Sequence, residues 1–186
     1  MRLVVMVMWL LLPTGVLAQT SLHAASDVAF QKDLYLKSSE KSIEGGTPAD
    51  GQTFTLNKGG KILGTFIAGS GFNAQDESVC FVGWSKEKPV ITTVIPTIGY
   101  DAWEAEKCNK TKSVGIISSA NNSDTKIAVI YEASTPKAIA DETLIFSVAN
   151  STRDLELDKE LTDKMGSSGA KTIPELKANY LNKKLY

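Results

Sequence analysis

The densest group of chemically capable side chains lies in one short stretch, GYDAWEAEKCNK, residues 99–110. Asp101, Glu104 and Glu106 flank Trp103 there, and glycosidases place two carboxylates at the scissile bond of a sugar. Such a pair normally comes from distant segments that face each other across a cleft, whereas these acids are neighbours in sequence. Asp101 and Glu104 have the spacing of a helix capping box, so we expect them to cap a short helix and to be solvated rather than catalytic.

Other catalytic and cofactor sites lack the residues that they need. His23 is the only histidine, close to the start of the chain, which leaves a serine or cysteine nucleophile without an imidazole base. The two cysteines match no zinc pattern, and Gly69-Ser70-Gly71 lacks the third glycine of a dinucleotide loop. We therefore predict no catalytic residue, no metal site and no cofactor. Enzymatic activity is left open but is not favoured.

The two cysteines, Cys80 and Cys108, predict one disulfide if the chain is exported, because disulfides persist in oxidising compartments. The bridge would close a loop of about 27 residues and stabilise the fold by about 3 kcal/mol. The alternative is a pair of buried free thiols.

Three aromatic residues are candidates for an interface: Tyr100, Trp103 and Trp84. Aromatic side chains dominate binding hot spots, and they also form stacking platforms for sugars. The alternative for Trp103 is that it packs into the core beside Cys108, since tryptophan is highly buried on average.

The first eighteen residues predict a cleaved signal peptide. Arg2 is followed by an apolar run that is too short to span a membrane, and Val16-Leu17-Ala18 matches a signal-peptidase site, with Ala24 as a second choice. Net charge is −1 for the full chain, and removal of Arg2, the one charged residue in 1–18, leaves −2. The signal-peptide pattern predicts an exported, periplasmic or secreted protein with no membrane span in the mature chain. The small negative net charge offers no basic surface field, so we expect no nucleic-acid partner.

The rest of the chain is predicted to be mainly β with minor α. Residues 19–52 show little pattern, and residues 53–186 are expected to form a single β-rich domain with a C-terminal helix. Short runs with turn signals between them predict about seven strands in an antiparallel sandwich or a curved sheet. The expected strands are 53–56, 61–68, 78–84, 90–95, 113–118, 126–131 and 143–148, with one short internal helix over 101–107.

The C-terminal helix has the clearest local signal. Thr172 and Glu175 have capping-box spacing, and Ile173, Leu176 and Tyr180 recur on one helical face. We expect this helix to dock on the sheet.

These observations favour a non-enzymatic exported binding protein that recognises another protein, in the manner of a periplasmic inhibitor or immunity protein. Two alternatives stay open. One is a carbohydrate-binding or carbohydrate-active module that uses the aromatic residues as platforms, and the other is a structural or assembly subunit of the cell envelope.

Overall fold

A computed structural model of the chain describes residues 19–182, and the predicted signal peptide lies outside them. The described residues form two antiparallel sheets. The first sheet contains β1 (Thr20–Ala24), β2 (Glu44–Lys58), β3 (Lys61–Phe72), β4 (Ser78–Ser85) and β5 (Thr93–Pro96), in that spatial order. The second contains β6 (Lys107–Ile116), β7 (Asp124–Ser134), β8 (Ile139–Ala149) and β9 (Leu155–Leu157), also in chain order. Three helices accompany them: α1 (Gln31–Ser39), α2 (Lys159–Gly166) and α3 (Ile173–Leu181).

The main core lies between the two sheets, which confirms the predicted sandwich-like, mainly β fold. Phe66 of β3 and Phe146 of β8 are fully buried, and their rings meet edge to face with centroids 5.6 Å apart. Such a pair contributes about 0.5–1.5 kcal/mol beyond the area that it buries. The described residues hold nine strands rather than about seven, because β1 and β9 are short edge strands with little alternation.

Residues 19–52 contribute three elements, β1, α1 and the first part of β2. Phe30 and Leu34 are fully buried, while Val28 and Leu36 are exposed, so the spacing of four between Phe30 and Leu34 identifies the buried helical face. α1 covers the outer face of the first sheet. Gly83 permits this close approach, because a Cβ on it would lie 2.4 Å from Cδ1 of Leu34.

The outer face of the second sheet is covered by α2 and α3. Leu161, Met165 and Leu176 are buried there. The predicted N-terminal cap of α3 is present. Thr172 Oγ1 accepts the N–H of Glu175 at 3.4 Å, and the Glu175 carboxylate accepts the N–H of Lys171 at 2.9 Å. The predicted C-terminal helix is thereby confirmed, with its cap.

The chain passes between the sheets once within the described residues, through a segment that we call the crossing (97–106). The predicted disulfide is confirmed: Cys80 of β4 and Cys108 of β6 are bonded, with their Cα atoms 5.6 Å apart. It ties the two sheets together beside the crossing. In the described part of the chain, no helix is long and apolar enough to cross a membrane.

Candidate functional site

The crossing lies at one end of the sandwich, which we call the connector end. Loop 73–77 and the crossing lie there with the start of β8, where Glu142 is near Glu106, and loop 167–172 lies beside that start. An ion pair between Lys107 and Glu77, with Nζ and Oε1 3.1 Å apart, joins the start of β6 to the loop before β4. Most of the sequence-predicted interface residues belong to this end.

The crossing has a well-defined backbone. Gly99 has φ of +95°, and a Cβ on it would lie 2.4 Å from Cγ1 of Val79, so glycine is required at this position. The N–H of Gly99 donates to the carbonyl of Trp103 at 3.0 Å, and the N–H of Trp103 donates to the carbonyl of Tyr100 at 2.9 Å. These bonds hold residues 99–103 in a compact turn.

The prediction that Asp101 and Glu104 form a capping box is wrong. The helix is a single 3-10 turn, Asp101–Trp103, which is preceded by Tyr100 and has no side-chain cap. Asp101 cannot act as the cap because it is the first residue inside the turn, with φ of +49°. The predicted helix over 101–107 also ends early, since Lys107 already belongs to β6. Asp101 and Glu104 instead line a surface groove.

Tyr100 is the aromatic residue of that groove. Its ring packs against the smaller core under α1, and its hydroxyl donates to the carbonyl of Ser42 at 3.0 Å. Burial raises the pKa of the Tyr100 hydroxyl above its ordinary value. The side chain is therefore held in one orientation and stays only partly exposed.

Trp103 and Trp84 contact the core rather than the groove. Trp103 is partly buried and packs against the main core, as the alternative interpretation predicted. Trp84 is fully buried, and its indole N–H donates to the carbonyl of Arg153 at 2.8 Å. Trp84, predicted as a possible interface residue, lies on the inner face of β4 in the main core and exposes no surface in this structure.

The groove beside Tyr100 has a volume of about 690 Å³, and both polar and apolar groups line it. The lining side chains that are able to accept or donate hydrogen bonds are Ser42, Asn73, Gln75, Glu77, Tyr100, Asp101 and Glu104. Loop 73–77 is braced by Asn73, whose side-chain oxygen accepts the N–H groups of Gln75 and Glu77, each at 3.0 Å. Ser42, Asp76 and Asp101 all have positive φ, and such sparsely populated conformations cluster at binding sites.

A second pair of acids lies at the same end. Glu106 lies in the crossing and Glu142 on β8, and both pKa values are raised, first by burial and then by a neighbouring negative charge. For Glu106 that neighbour is Glu142, and for Glu142 it is Asp141. One carboxylate oxygen of Glu106 is buried and has no hydrogen-bond partner. Neither glutamate has an ion-pair partner within residues 19–182.

Sequence reasoning missed Glu142. A signal was available, since Glu142 precedes Leu144, Phe146 and Val148 with the period of two that marks the inner face of β8. A carboxylate on that face is predicted to be partly buried.

A third cluster combines Ser147, Lys126 and Asp158. Lys126 Nζ donates to Ser147 Oγ at 2.6 Å and to Asp158 Oδ2 at 2.8 Å. The contact between Lys126 and Asp158 is an ion pair between two largely buried side chains. Asp158 also caps α2 by accepting the N–H of Leu161 at 3.1 Å. This cluster is therefore a structural tie between α2 and the second sheet.

The pKa of Asp158 supports that interpretation. Burial acts to raise it, but the hydrogen bonds from Lys126 and the Leu161 N–H, with the Lys126 charge, bring it below the ordinary value. The aspartate is therefore ionised at neutral pH.

Within residues 19–182, no group of three histidine, cysteine, aspartate or glutamate side chains is arranged to hold a metal ion. The groove presents acceptor oxygens and an oriented tyrosine, and the Glu106–Glu142 pair presents negative charge that lacks a counter-ion. Comparison of the chain with protein-family models, curated proteins and solved structures finds no match.

Proposed function

We propose that the chain is an exported binding protein that recognises another protein through its connector end. The observation that carries the proposal is the Tyr100 groove, in which an oriented aromatic side chain lies among acceptor oxygens on a braced backbone. Interfaces are anchored by aromatic residues that lose little freedom on binding. The signal-peptide pattern and the Cys80–Cys108 bond support export.

The charge of the surface indicates the character of the partner. Asp101, Glu104 and Glu77 line the groove, and Glu106 and Glu142 lie at the same end. Opposite charge speeds association and selects the correct partner. The partner is therefore a protein with a basic contact surface.

The carbohydrate alternative has weaker support. Stacking on a sugar needs an exposed aromatic face, but Trp84 is fully buried and Trp103 packs against the core. Of the three candidate aromatic residues only Tyr100 is left as a platform, and its hydroxyl is already bound to the carbonyl of Ser42.

The test is affinity capture by the mature chain from the exported fraction of the producing cells, followed by titration of the purified partner. Tyr100→Ala is expected to weaken binding by about thirtyfold, the loss of about 2 kcal/mol that is typical of a hot spot. Tyr35→Ala is the matched control, because Tyr35 is an exposed tyrosine on α1 outside the groove.

Two results would contradict the proposal. One is the absence of any stoichiometric partner, and the other is an equal effect of the two tyrosine substitutions. Binding to a glycan array that is lost in Tyr100→Ala would favour the carbohydrate alternative instead.

A further inference from the structure

β8 is paired along only half of one edge. β7 pairs with all of β8, from Ile139 to Ala149, but β9 pairs only with Phe146–Val148. Within the described residues, nothing pairs with the other edge of β8 over Ile139–Thr143. An open strand edge is a template for another extended chain.

The direction of the backbone groups shows which residues offer bonds there. The N–H of Ala149 donates to Asp154, the carbonyl of Ile145 accepts from Asp158, and the N–H of Ile145 donates to Thr162 Oγ1. All of these bonds point away from β7. Because the direction alternates along a strand, Asp141 and Thr143 direct their N–H and C=O groups to the same side.

A groove of about 510 Å³ runs along this open edge. Its far wall is formed by small residues, Gly166 at the end of α2 and Gly169 and Ala170 in the loop that follows, together with Lys171. A Cβ on Gly166 or Gly169 would meet no atom within 4 Å. Ile139, at the mouth of the groove, is 70% exposed. An added strand would lie about 4.8 Å from β8, on the side of the strand that the groove occupies.

The charges beside the edge favour a basic occupant. Asp141 is already paired with Lys112, with Nζ and Oδ2 2.7 Å apart. Glu142 also lines the groove, and it has no ion-pair partner among the described residues. Its neighbour Glu106 also has no ion-pair partner among the described residues. A lysine or arginine on the incoming strand would neutralise two partly buried carboxylates.

A second copy of the chain fits poorly. Two-fold antiparallel pairing centred on Asp141 places that residue opposite its own copy, and pairing centred on Glu142 does the same for Glu142. Like charges directly opposite each other destabilise a strand pair. The two acids therefore act against self-association at this edge.

We propose that an extended segment of the partner protein adds to the open edge of β8 over Ile139–Thr143 and directs a lysine or arginine side chain at Glu142 and Glu106. This inference rests on the proposed function and specifies how one segment of the partner binds. Main-chain hydrogen bonds to Asp141 and Thr143 supply the affinity, and the basic side chain supplies the specificity.

The probe is a capped seven-residue peptide of alternating valine and lysine, and its binding is followed by fluorescence anisotropy. Two control peptides differ in one property each: one carries glutamate in place of lysine, and the other carries methyl groups on alternate backbone nitrogens. Each control is expected to bind at least about tenfold more weakly, a difference of about 1.4 kcal/mol. Hydrogen exchange at the amides of Asp141 and Thr143 is expected to slow when the lysine peptide is added.

The matched protein variants are Asp141→Pro and Asp141→Asn. Both remove the ion pair with Lys112, but only proline removes the outward N–H, and proline is tolerated where a strand edge faces solvent. We expect Asp141→Pro to bind the peptide at least about tenfold more weakly than Asp141→Asn. Glu142→Gln is expected to weaken binding of the lysine peptide but not of an all-valine peptide.

Several results would overturn the inference. They are no binding of the lysine peptide, binding that is insensitive to nitrogen methylation, and a dimer in light scattering that Asp141→Pro abolishes, which would identify a second copy as the occupant. The methylated peptide keeps the test valid if Asp141→Pro does not fold. Loss of the captured partner in Tyr100→Ala, with full retention in Asp141→Pro, would overturn this inference and leave the proposed function standing.

Discussion

Removal of the Cys80–Cys108 bond is the perturbation whose magnitude follows most directly from the structure. The bond joins residues separated by 28 positions. Loss of loop-closure entropy in the unfolded chain then stabilises the native state by about 3.5 kcal/mol. Domains of this size unfold with a total of about 5–15 kcal/mol. The cross-link therefore supplies a substantial share of the stability of the sandwich.

The assay is urea unfolding followed by tryptophan fluorescence, since Trp84 is fully buried in the native state. Three samples are compared: the oxidised chain, the reduced chain and the Cys80→Ala/Cys108→Ala variant. The reduced chain keeps both sulfur atoms in the core, so its difference from the oxidised chain isolates the cross-link. The alanine variant adds the loss of packing around two cysteines that are at most 5% exposed. We expect the midpoint of thermal unfolding to fall by roughly 7–14 °C on reduction.

The reasoning would be refuted by a difference below about 1 kcal/mol between the oxidised and reduced chains. That result would mean that the unfolded chain already holds the two halves close together, so that the bond restricts little. Because both sulfur positions are buried, we also expect reduction without denaturant to be slow. Fast reduction under native conditions would show that the connector end opens readily.

Three further outcomes are expected. Glu106→Gln and Glu142→Gln should each stabilise the protein at pH 7, because the pKa of each glutamate is raised in the folded chain. The free energy of unfolding of the unmodified protein therefore falls as pH rises from the ordinary glutamate pKa through the raised one. Urea unfolding across that pH range should show a weaker pH dependence in the variants. Asp158→Ala should lower the free energy of unfolding by about 1–2 kcal/mol at pH 7 through loss of the α2 cap. Because the pKa of Asp158 is lowered in the folded chain, this loss of stability should shrink as pH falls through the lowered pKa. A loss that is unchanged at low pH would contradict this prediction. Gly115→Ala should lower the free energy of unfolding by about 1–3 kcal/mol through overpacking, since the new Cβ would lie 2.4 Å from Cγ2 of Ile173. The additional substitution Ile173→Ala should recover part of that stability. If the two substitutions instead destabilise the protein additively, the clash is not the cause.

The sequence predicts the strands of this fold well where alternation is strong and poorly where a strand is bent. The pattern in 53–56 predicts only the end of β2, because the earlier part carries register shifts between Glu44 and Thr47 and between Pro48 and Thr53. These irregularities remove the period of two on which the prediction depends. The expected strand at 90–95 begins later, because Val90 forms only an isolated bridge with Glu87 and β5 begins at Thr93.

The candidate site was less predictable than the fold. The disulfide follows from the composition and the expected compartment, and Tyr100 lies in the predicted stretch. Trp84 and Trp103 have the same amino-acid type, but one is enclosed by the sheets and the other covers their end. The difference depends on tertiary contacts that the sequence does not display. The open edge of β8 is equally invisible in sequence, because it depends on where β9 stops.

Each sheet of this protein is drawn from one continuous half of the chain, and the crossing is the one backbone link between them within residues 19–182. A single backbone cut at 101–105 would therefore remove no strand from either sheet. The Cys80–Cys108 bond would keep the two fragments covalently joined, because one cysteine lies on each side of the cut. Because the two sheets also share the main core, we expect the cut chain to stay assembled, although the cut falls in the segment that lines the Tyr100 groove.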